Sequence, residues 1–290
     1  MKPSTENFIQ GYWRLADWNL SAKERLSFIE QCLELGINTI DLAAIYGPPA
    51  NSAEALFGEA LALSPSLRNQ LHIISKGNIY LGEWSGDHHA NHYNTTAEKL
   101  IESVNTSLTR LGTNHLDTFL IHRLDYLLDA DEVAGAFETL KKQGKVKRFG
   151  VSNFTTSQFS LLQSRLDFPL VTNQLEINPL NLTSLEDGTL DQLQELRRRP
   201  MAWSPLAGSQ LLTQDTPLIQ CLKKVAVEIG AESVSQVIFA WILKLPSKPQ
   251  IILGTSKIER VQDALKSQEL TLSNEKWYRI WSSSKGHPVP

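Results

Sequence analysis

The 290-residue chain predicts an α/β fold, a closed (β/α)8 TIM barrel of parallel strands built as a single domain over residues 1–290. Three observations predict it. Apolar strand-like runs and helical patterns alternate eight times, as they do where helices cover a parallel sheet. No long polar linker interrupts the alternation, and 41% hydrophobic residues are enough for one large core. Eight β/α units in a chain of this length suit a closed barrel. A doubly wound sheet is the runner-up. Against it, no strand is followed by G-x-G-x-x-G or a Walker loop, the usual nucleotide fingerprints of that fold.

FIQGYW at 8–13 opens the series as a strand. Ser21 then offers a preferred N-cap, and Leu26, Ile29 and Leu33 share one face of a helix over 22–35 that Gly36 closes. Strand INTIDL leads to helix SAEALFGEALAL, and strand LHIIS to a helix over 95–111 opened by Thr95 or Thr96. LDTFLIH precedes a helix over 131–142 that Gly144 stops; VKRFGVS precedes one over 155–165; LVTNQLEIN precedes one over 187–198. PMAWSPL is followed by helical stretches over 217–229 and 233–244, and IILGTS by helices over 257–267 and 273–283. The segment 78–94, with Trp84 and Tyr93, has little periodicity and reads as a substrate loop over the rim or a surface excursion. A tail follows Trp281.

Four polar residues stand at or just past the C-terminal ends of apolar runs: Asp41 and Tyr46 in INTIDLAAIYG, Lys76 in LHIISKG, and His122 in DTFLIHR. In a parallel barrel that rim carries the chemistry. Singly, Asp41 could cap a turn, Tyr46 could pack one before Gly47, and His122 could be a structural histidine. Lys76 is more informative, because a lysine on a buried strand cannot easily reach bulk water and needs an anionic partner. Together they supply a carboxylate to hold an ammonium, an ammonium to lower a phenol's pKa, and an imidazole that can donate to a carbonyl oxygen.

A second cluster lies in IILGTSKIER, a strand, a small-residue turn and a helix start. Backbone N–H groups at a helix start favour an anion, and Lys257 and Arg260 add positive charge. Ser152-Asn153, Gln174 and Trp203-Ser204-Pro205-Leu206 place polar or aromatic groups at three further strand ends, which suggests one long ligand with an aromatic ring and an amide. His88, His89 and His92 lie near Asp87 without metal-ligand spacing, so no metal is expected. Lys141, Lys142, Lys145, Lys147 and Arg148 read as a solvated helix end, and Arg197-Arg198-Arg199 as the last turn of a helix.

The net charge of -3 suggests no polyanionic partner, so nucleic-acid binding is not expected. Cys32 and Cys221 match no metal or redox spacing, and Cys32 falls on the apolar face of its helix. With no apolar N-terminal segment and no membrane-spanning run, a cytoplasmic protein acting on a small molecule is expected. Nothing sets the oligomeric state; a monomer is compatible.

At these residues the chain resembles the aldo-keto reductases, in their bacterial NADP-dependent oxidoreductase branch. The likeness runs from GYWR at 11–14 to the turn at 254–264. It rests on GINTIDLAAIYG, the ISKG lysine, LIHR, GVSNF, NQLEINPL, AWSPLAG and GTSKIER in combination. The resemblance implies a barrel that binds NADPH across its rim and transfers hydride to an aldehyde or ketone. Tyr46 would donate the proton, assisted by Lys76, Asp41 and His122, and Lys76 should bring the phenol's pKa toward the working range. It further implies that Trp203 stacks on the nicotinamide while Ser152, Asn153 and Gln174 hold its carboxamide. Ser204, Pro205, Leu206 and Gly208 would line the pyrophosphate with Arg14 nearby, and Gly254, Thr255, Ser256, Lys257 and Arg260 would surround the 2′-phosphate. Tyr12, Trp13, Asp41 and Asp263 complete the implied cofactor contacts, and Trp13, Tyr46, Trp84 and His122 the substrate pocket.

The chain departs from the family pattern in places. Leu42 replaces the usual Thr, Trp203 a Tyr or Phe, and Asp263-Ala264 the usual Glu-Asn, while Leu253-Gly254 lacks a proline and the cationic residue some members carry. Two alternatives to a reductase are a Schiff-base lyase using Lys76 and an NADP(H)-binding redox sensor with little turnover.

Overall fold

Side-chain caps set the helix starts. In the computed structural model, which describes residues 5–48, 52–84 and 90–290, Ser21, Ser52, Asp129, Thr155, Thr216, Ser233 and Ser273 each accept a backbone N–H at the start of a helix. Ser21 with Glu24 and Thr155 with Gln158 form complete capping boxes. Among the described residues no single helix is long and apolar enough to cross a membrane.

Eight parallel strands close into a barrel. They are β1 (Phe8–Gly11), β2 (Thr39–Asp41), β3 (His72–Gly77), β4 (Leu116–Ile121), β5 (Val146–Ser152), β6 (Leu170–Glu176), β7 (Met201–Trp203) and β8 (Gln250–Leu253). Their spatial order is the sequence order, with β8 closing on β1. The chain divides into two compact units, 10–174 and 1–9 with 175–290. In the first unit, β3 and β4 are almost wholly buried, which is why they read as apolar runs. Their helices are α1 (Ala22–Glu34), α2 (Ala53–Leu63), α3 (Ala97–Leu111), α4 (Ala130–Lys142) and α5 (Thr156–Gln163). In the second unit, Trp241 and Trp277 stack with centroids 4.9 Å apart, each indole N–H donating to the other residue's carbonyl, and so dock the helix Asn274–Lys285.

Three expectations are corrected. The helix expected over 187–198 is two short helices, Thr183–Glu186 and Thr189–Glu195, because Gly188 adopts φ 83° between them. Arg197 is itself left-handed at φ 54°, so the arginine run lies past the helix, and Arg199 donates to the carbonyls of Lys248 and Glu6. The strand expected over 200–206 stops at Trp203, because Ser204 turns to φ 50°. Within 78–94 the described residues include a small hairpin, Ile79–Tyr80 against His92–Tyr93. His88 and His89 lie outside the described residues, and His92 stacks on Tyr80.

Gly58 lets α2 lie directly on α3: a Cβ there would overlap the Arg110 carbonyl oxygen and press on the Leu111 backbone at 3.0 Å. Gly58→Ala should therefore destabilise the protein by about 1–3 kcal/mol, as overpacking against backbone does. Thermal unfolding followed by circular dichroism checks this; an unchanged Tm would show that the helices part at no cost.

Candidate active site

The ends of β2, β3 and β4 bring the four polar residues together within the first unit. Asp41 ends β2, Lys76 is the penultimate residue of β3, and His122 is the first residue past β4. Lys76 pairs with Leu120 in the β3–β4 register, so His122, two residues on, belongs to the same side of the sheet. Tyr46 arrives on the turn after β2, which runs beside β3 through Leu42 N to Ile74 O and Ala44 N to Lys76 O, both 2.9 Å.

Lys76 is the hub. Its ammonium donates to Asp41 Oδ2 at 2.8 Å, to the Leu42 carbonyl at 2.8 Å and to Tyr46 Oη at 3.0 Å. These are three donors on three acceptors, fully buried. Leu42 takes part through its backbone, so the departure from Thr there does not remove this contact. Asp41 is also held by Gln174 Nε2 at 2.8 Å, and its carbonyl accepts from Tyr12 N at 3.0 Å. Because an ammonium can only donate, Tyr46 Oη must accept from it, and the phenol's own proton points to another acceptor. The His122 ring meets the Tyr46 ring edge-on, centroids 5.7 Å apart.

Burial and charge set the protonation states. Burial alone would lower the Lys76 pKa, but the Asp41 carboxylate and the Tyr46 hydroxyl outweigh it, so the pKa is raised and the ammonium persists. Lys76 acts on the Tyr46 pKa in the expected direction, yet the net shift is upward. Lys76 does lower it, but burial is the larger effect, and the phenol stays above its ordinary value. His122 is pushed well below the ordinary imidazole value by burial and by the Lys76 and Arg123 cations, so it is neutral. Its Nδ1 is buried and has no hydrogen-bond partner among the described residues. A buried orphan donor is rarer than an orphan acceptor, so the proton belongs on Nε2.

Two supporting groups were not identified from the sequence. Glu54, fully buried in α2, accepts from Ser75 Oγ at 2.6 Å and from Arg110 at 3.3 Å, while Arg110 also donates to the Ala44 carbonyl at 3.1 Å. The Tyr46 turn is thereby tied to β3. A signal was present, since Glu54 shares the helical face of Phe57, Gly58 and Leu61. Asn78, just past β3, bonds the backbone of His122 and Arg123 through its side chain. Nothing in the aperiodic segment marked it.

The remaining expected residues divide. Ser152 Oγ donates to the Gln174 carbonyl at 2.9 Å, and Asn153 Nδ2 donates to Ser152 Oγ at 2.8 Å, so this amide cluster joins the tetrad through Gln174. Trp13 is 63% exposed, and Arg14 lies over its ring at 5.9 Å. The backbone of Tyr12 reaches Asp41, but its ring is buried among Trp18, Phe28 and Phe57. The Trp84 side chain lies outside the described residues.

In the second unit, Ser204, Ala207, Gly208 and Ser209 all have positive φ, which makes the turn after β7 a tightly wound one. Trp203 is partly buried, as are Ser204 and Leu206, while Pro205 is buried. Gly254, Lys257 and Arg260 are exposed at the start of helix Ile258–Lys266, with Thr255 Oγ1 accepting from Lys257 N at 3.1 Å. Asp263 has another occupation: its carboxylate accepts from Ser233, Ser235 and Gln236 and ties this helix to the start of Val234–Leu243.

Comparisons with known proteins agree over nearly the whole chain. A sequence model of the Aldo/keto reductase family matches residues 7–285. Oxidoreductase YdhF of Escherichia coli (strain K12) is 50% identical, the match covering 99% of this chain and 96% of that protein. A 6-dehydroglucose reductase of Agrobacterium fabrum is 38% identical, covering 99% of this chain and 97% of its own. An aldo/keto reductase from Klebsiella pneumoniae, solved in complex with NADP and acetate, shares the fold with a TM-score of 0.78 at 23% identity, covering 98% of this chain and 92% of that one.

Removing one partner of the buried pair leaves the other uncompensated. Lys76→Met should cost about 3–5 kcal/mol of stability, and adding Asp41→Asn in that background should recover part of it. Urea unfolding of the two variants measures this, and an unchanged midpoint for Lys76→Met would mean that the pair does not support the fold.

Proposed function

This chain belongs to the aldo/keto reductase family, and on that footing we propose that it reduces an aldehyde or ketone to an alcohol with NADPH. The observation that carries the reading is the saturated Lys76 ammonium. All three of its N–H groups are committed, so the phenol proton of Tyr46 is the mobile one beside a neutral imidazole. Tyr46 donates that proton to the carbonyl oxygen. As the phenolate forms, the ammonium 3.0 Å away stabilises it, and Asp41 keeps the ammonium charged and in place. His122 donates from Nε2 to the same oxygen and orients it.

NADPH would supply the hydride to the carbonyl carbon. The residues present fit it. Lys257 and Arg260 are exposed at a helix N-terminus and pair with no carboxylate among the described residues, a donor set suited to a phosphate. They would take the 2′-phosphate together with Gly254, Thr255 and Ser256, which favours NADPH over NADH. Ser152, Asn153 and Gln174 would hold the carboxamide and Trp203 would stack on the ring. Ser204, Pro205, Leu206 and Gly208 would contact the pyrophosphate, with Arg14 nearby. Trp13 would wall the carbonyl pocket.

The raised Lys76 pKa counts against a Schiff-base lyase, which needs a neutral amine. A redox sensor would have no use for a proton donor so fully supported.

Tyr46→Phe should lower kcat by about 10²–10⁴-fold while NADPH still binds. Stopped-flow reduction over a panel of aldehydes, ketones and sugar aldehydes checks this, and retained turnover would remove Tyr46 as the acid. Arg260→Ala should weaken NADPH far more than NADH; equal losses in titration would mean that Arg260 does not read the 2′-phosphate. The pH profile follows from the two shifts. With His122 depressed and Tyr46 raised, both stay in their working forms, and kcat/KM should be flat from about pH 6 to about pH 8. An acid limb near pH 6.5 would show His122 titrating at its ordinary value.

A further inference from the structure

We propose that Asn78 is a positioning residue for His122, a role that rests on the carbonyl-reductase reading above. Asn78 follows Lys76 by two residues and has φ 95°, a conformation that non-glycine residues hold only when their surroundings impose it. It is 2% exposed, and its amide is spent on the chain just past β4. Oδ1 accepts from His122 N at 3.0 Å and from Arg123 N at 3.1 Å, and Nδ2 donates to the Arg123 carbonyl at 2.8 Å. Its own carbonyl accepts from Asn94 N at 3.0 Å. The left-handed turn leads the chain off β3 while the side chain returns to the end of β4.

His122 N is thus held twice, by the Gly77 carbonyl at 3.0 Å and by Asn78. This matters because the ring has no hydrogen bond of its own on Nδ1 among the described residues. A catalytic imidazole is ordinarily oriented by a partner on its second nitrogen. Here the orientation is transferred to the backbone, which Asn78 fixes relative to Lys76 from one side while Asn153 Nδ2 reaches the His122 carbonyl at 3.5 Å. Asparagine suits the task because one amide both accepts and donates, so that a single buried group satisfies both peptides.

The test is a double-mutant cycle. Asn78→Gly keeps a residue at ease with positive φ and removes only the amide. It should lower kcat for carbonyl reduction by about 10–100-fold, as a small misplacement of a reacting group does. NADPH affinity should stay near that of the parent, and Tm should fall only modestly, as expected when buried peptide groups lose one partner. In a His122→Ala background, the same substitution should cause no further loss, because it acts through the imidazole. Parental kcat in Asn78→Gly, or a loss that multiplies fully with that of His122→Ala, would overturn the proposal. So would a collapse of Tm or NADPH binding, which would mark a general structural role. Long-range 1H–15N spectra of the His122 imidazole, assigned against His122→Ala, give a reading independent of activity. They should change in Asn78→Gly, and an unchanged spectrum sinks the proposal even if the parent reduces no carbonyl. A parent without turnover whose His122 signals do shift would instead locate the failure in the functional reading.

Discussion

The ion pair between Asp41 and Lys76 is the constraint on which the rest of the first unit's chemistry depends. Both groups are almost wholly out of water, where an isolated charge is prohibitively costly. They persist there because every donor of the ammonium has an acceptor, and each carboxylate oxygen has a donor in Lys76 or Gln174. Such a pair is weak evidence for stability, since two apolar residues could fill the same space. Its value lies in fixing a positive charge 3.0 Å from the Tyr46 hydroxyl, in a place where water cannot weaken it. Gln174 extends the constraint to Ser152 and Asn153, so these side chains belong to one bonded network with Asp41, Lys76 and Tyr46.

The barrel presents these groups by a repeated backbone device. Just past β3, β5 and β7, the chain turns through Asn78, Asn153 and Ser204, at φ 95°, 60° and 50°. None is glycine, so each conformation costs of the order of 1–3 kcal/mol that other contacts must offset. Each gains local bonds in return. Asn78 engages the His122–Arg123 backbone, Asn153 N donates to the Gln174 carbonyl at 2.9 Å, and the Ser204 carbonyl accepts from Asn178 at 2.9 Å.

How much of this was legible in the sequence follows from what produces each feature. Parallel strands buried on both faces are mostly apolar, so Asp41, Lys76 and His122 stand out against Ile40, Ile74 and Ile121. The helix starts were legible because caps are local. Asn78 was not, because its φ and its partners depend on a strand more than forty residues away in the chain. The break at Gly188 was missed although Asp-Gly is a turn signal, because the spacing of Leu190, Leu193 and Leu196 imitates a continuous helix. Resemblance alone points Tyr12 and Asp263 to the cofactor. The structure instead gives one a place in an aromatic cluster and the other a helix start to tie down.

The direction of the Tyr46 shift bears on how the proton moves. A phenol whose pKa burial has raised is a poor acid toward water, and Lys76, by favouring the phenolate, offsets only part of that rise. The ammonium exerts its full effect only on a phenolate, that is, as negative charge develops on the oxygen it already touches. In the proposed reduction, that stabilisation would fall on the transition state more than on the resting protein, which is the kind that raises kcat. His122 is neutral first because burial disfavours the charged ring, and then because the Lys76 and Arg123 cations do. An imidazolium beside Lys76 would be repelled by it, whereas in the proposed reduction a neutral imidazole would polarise the carbonyl without adding a second positive charge to a buried site.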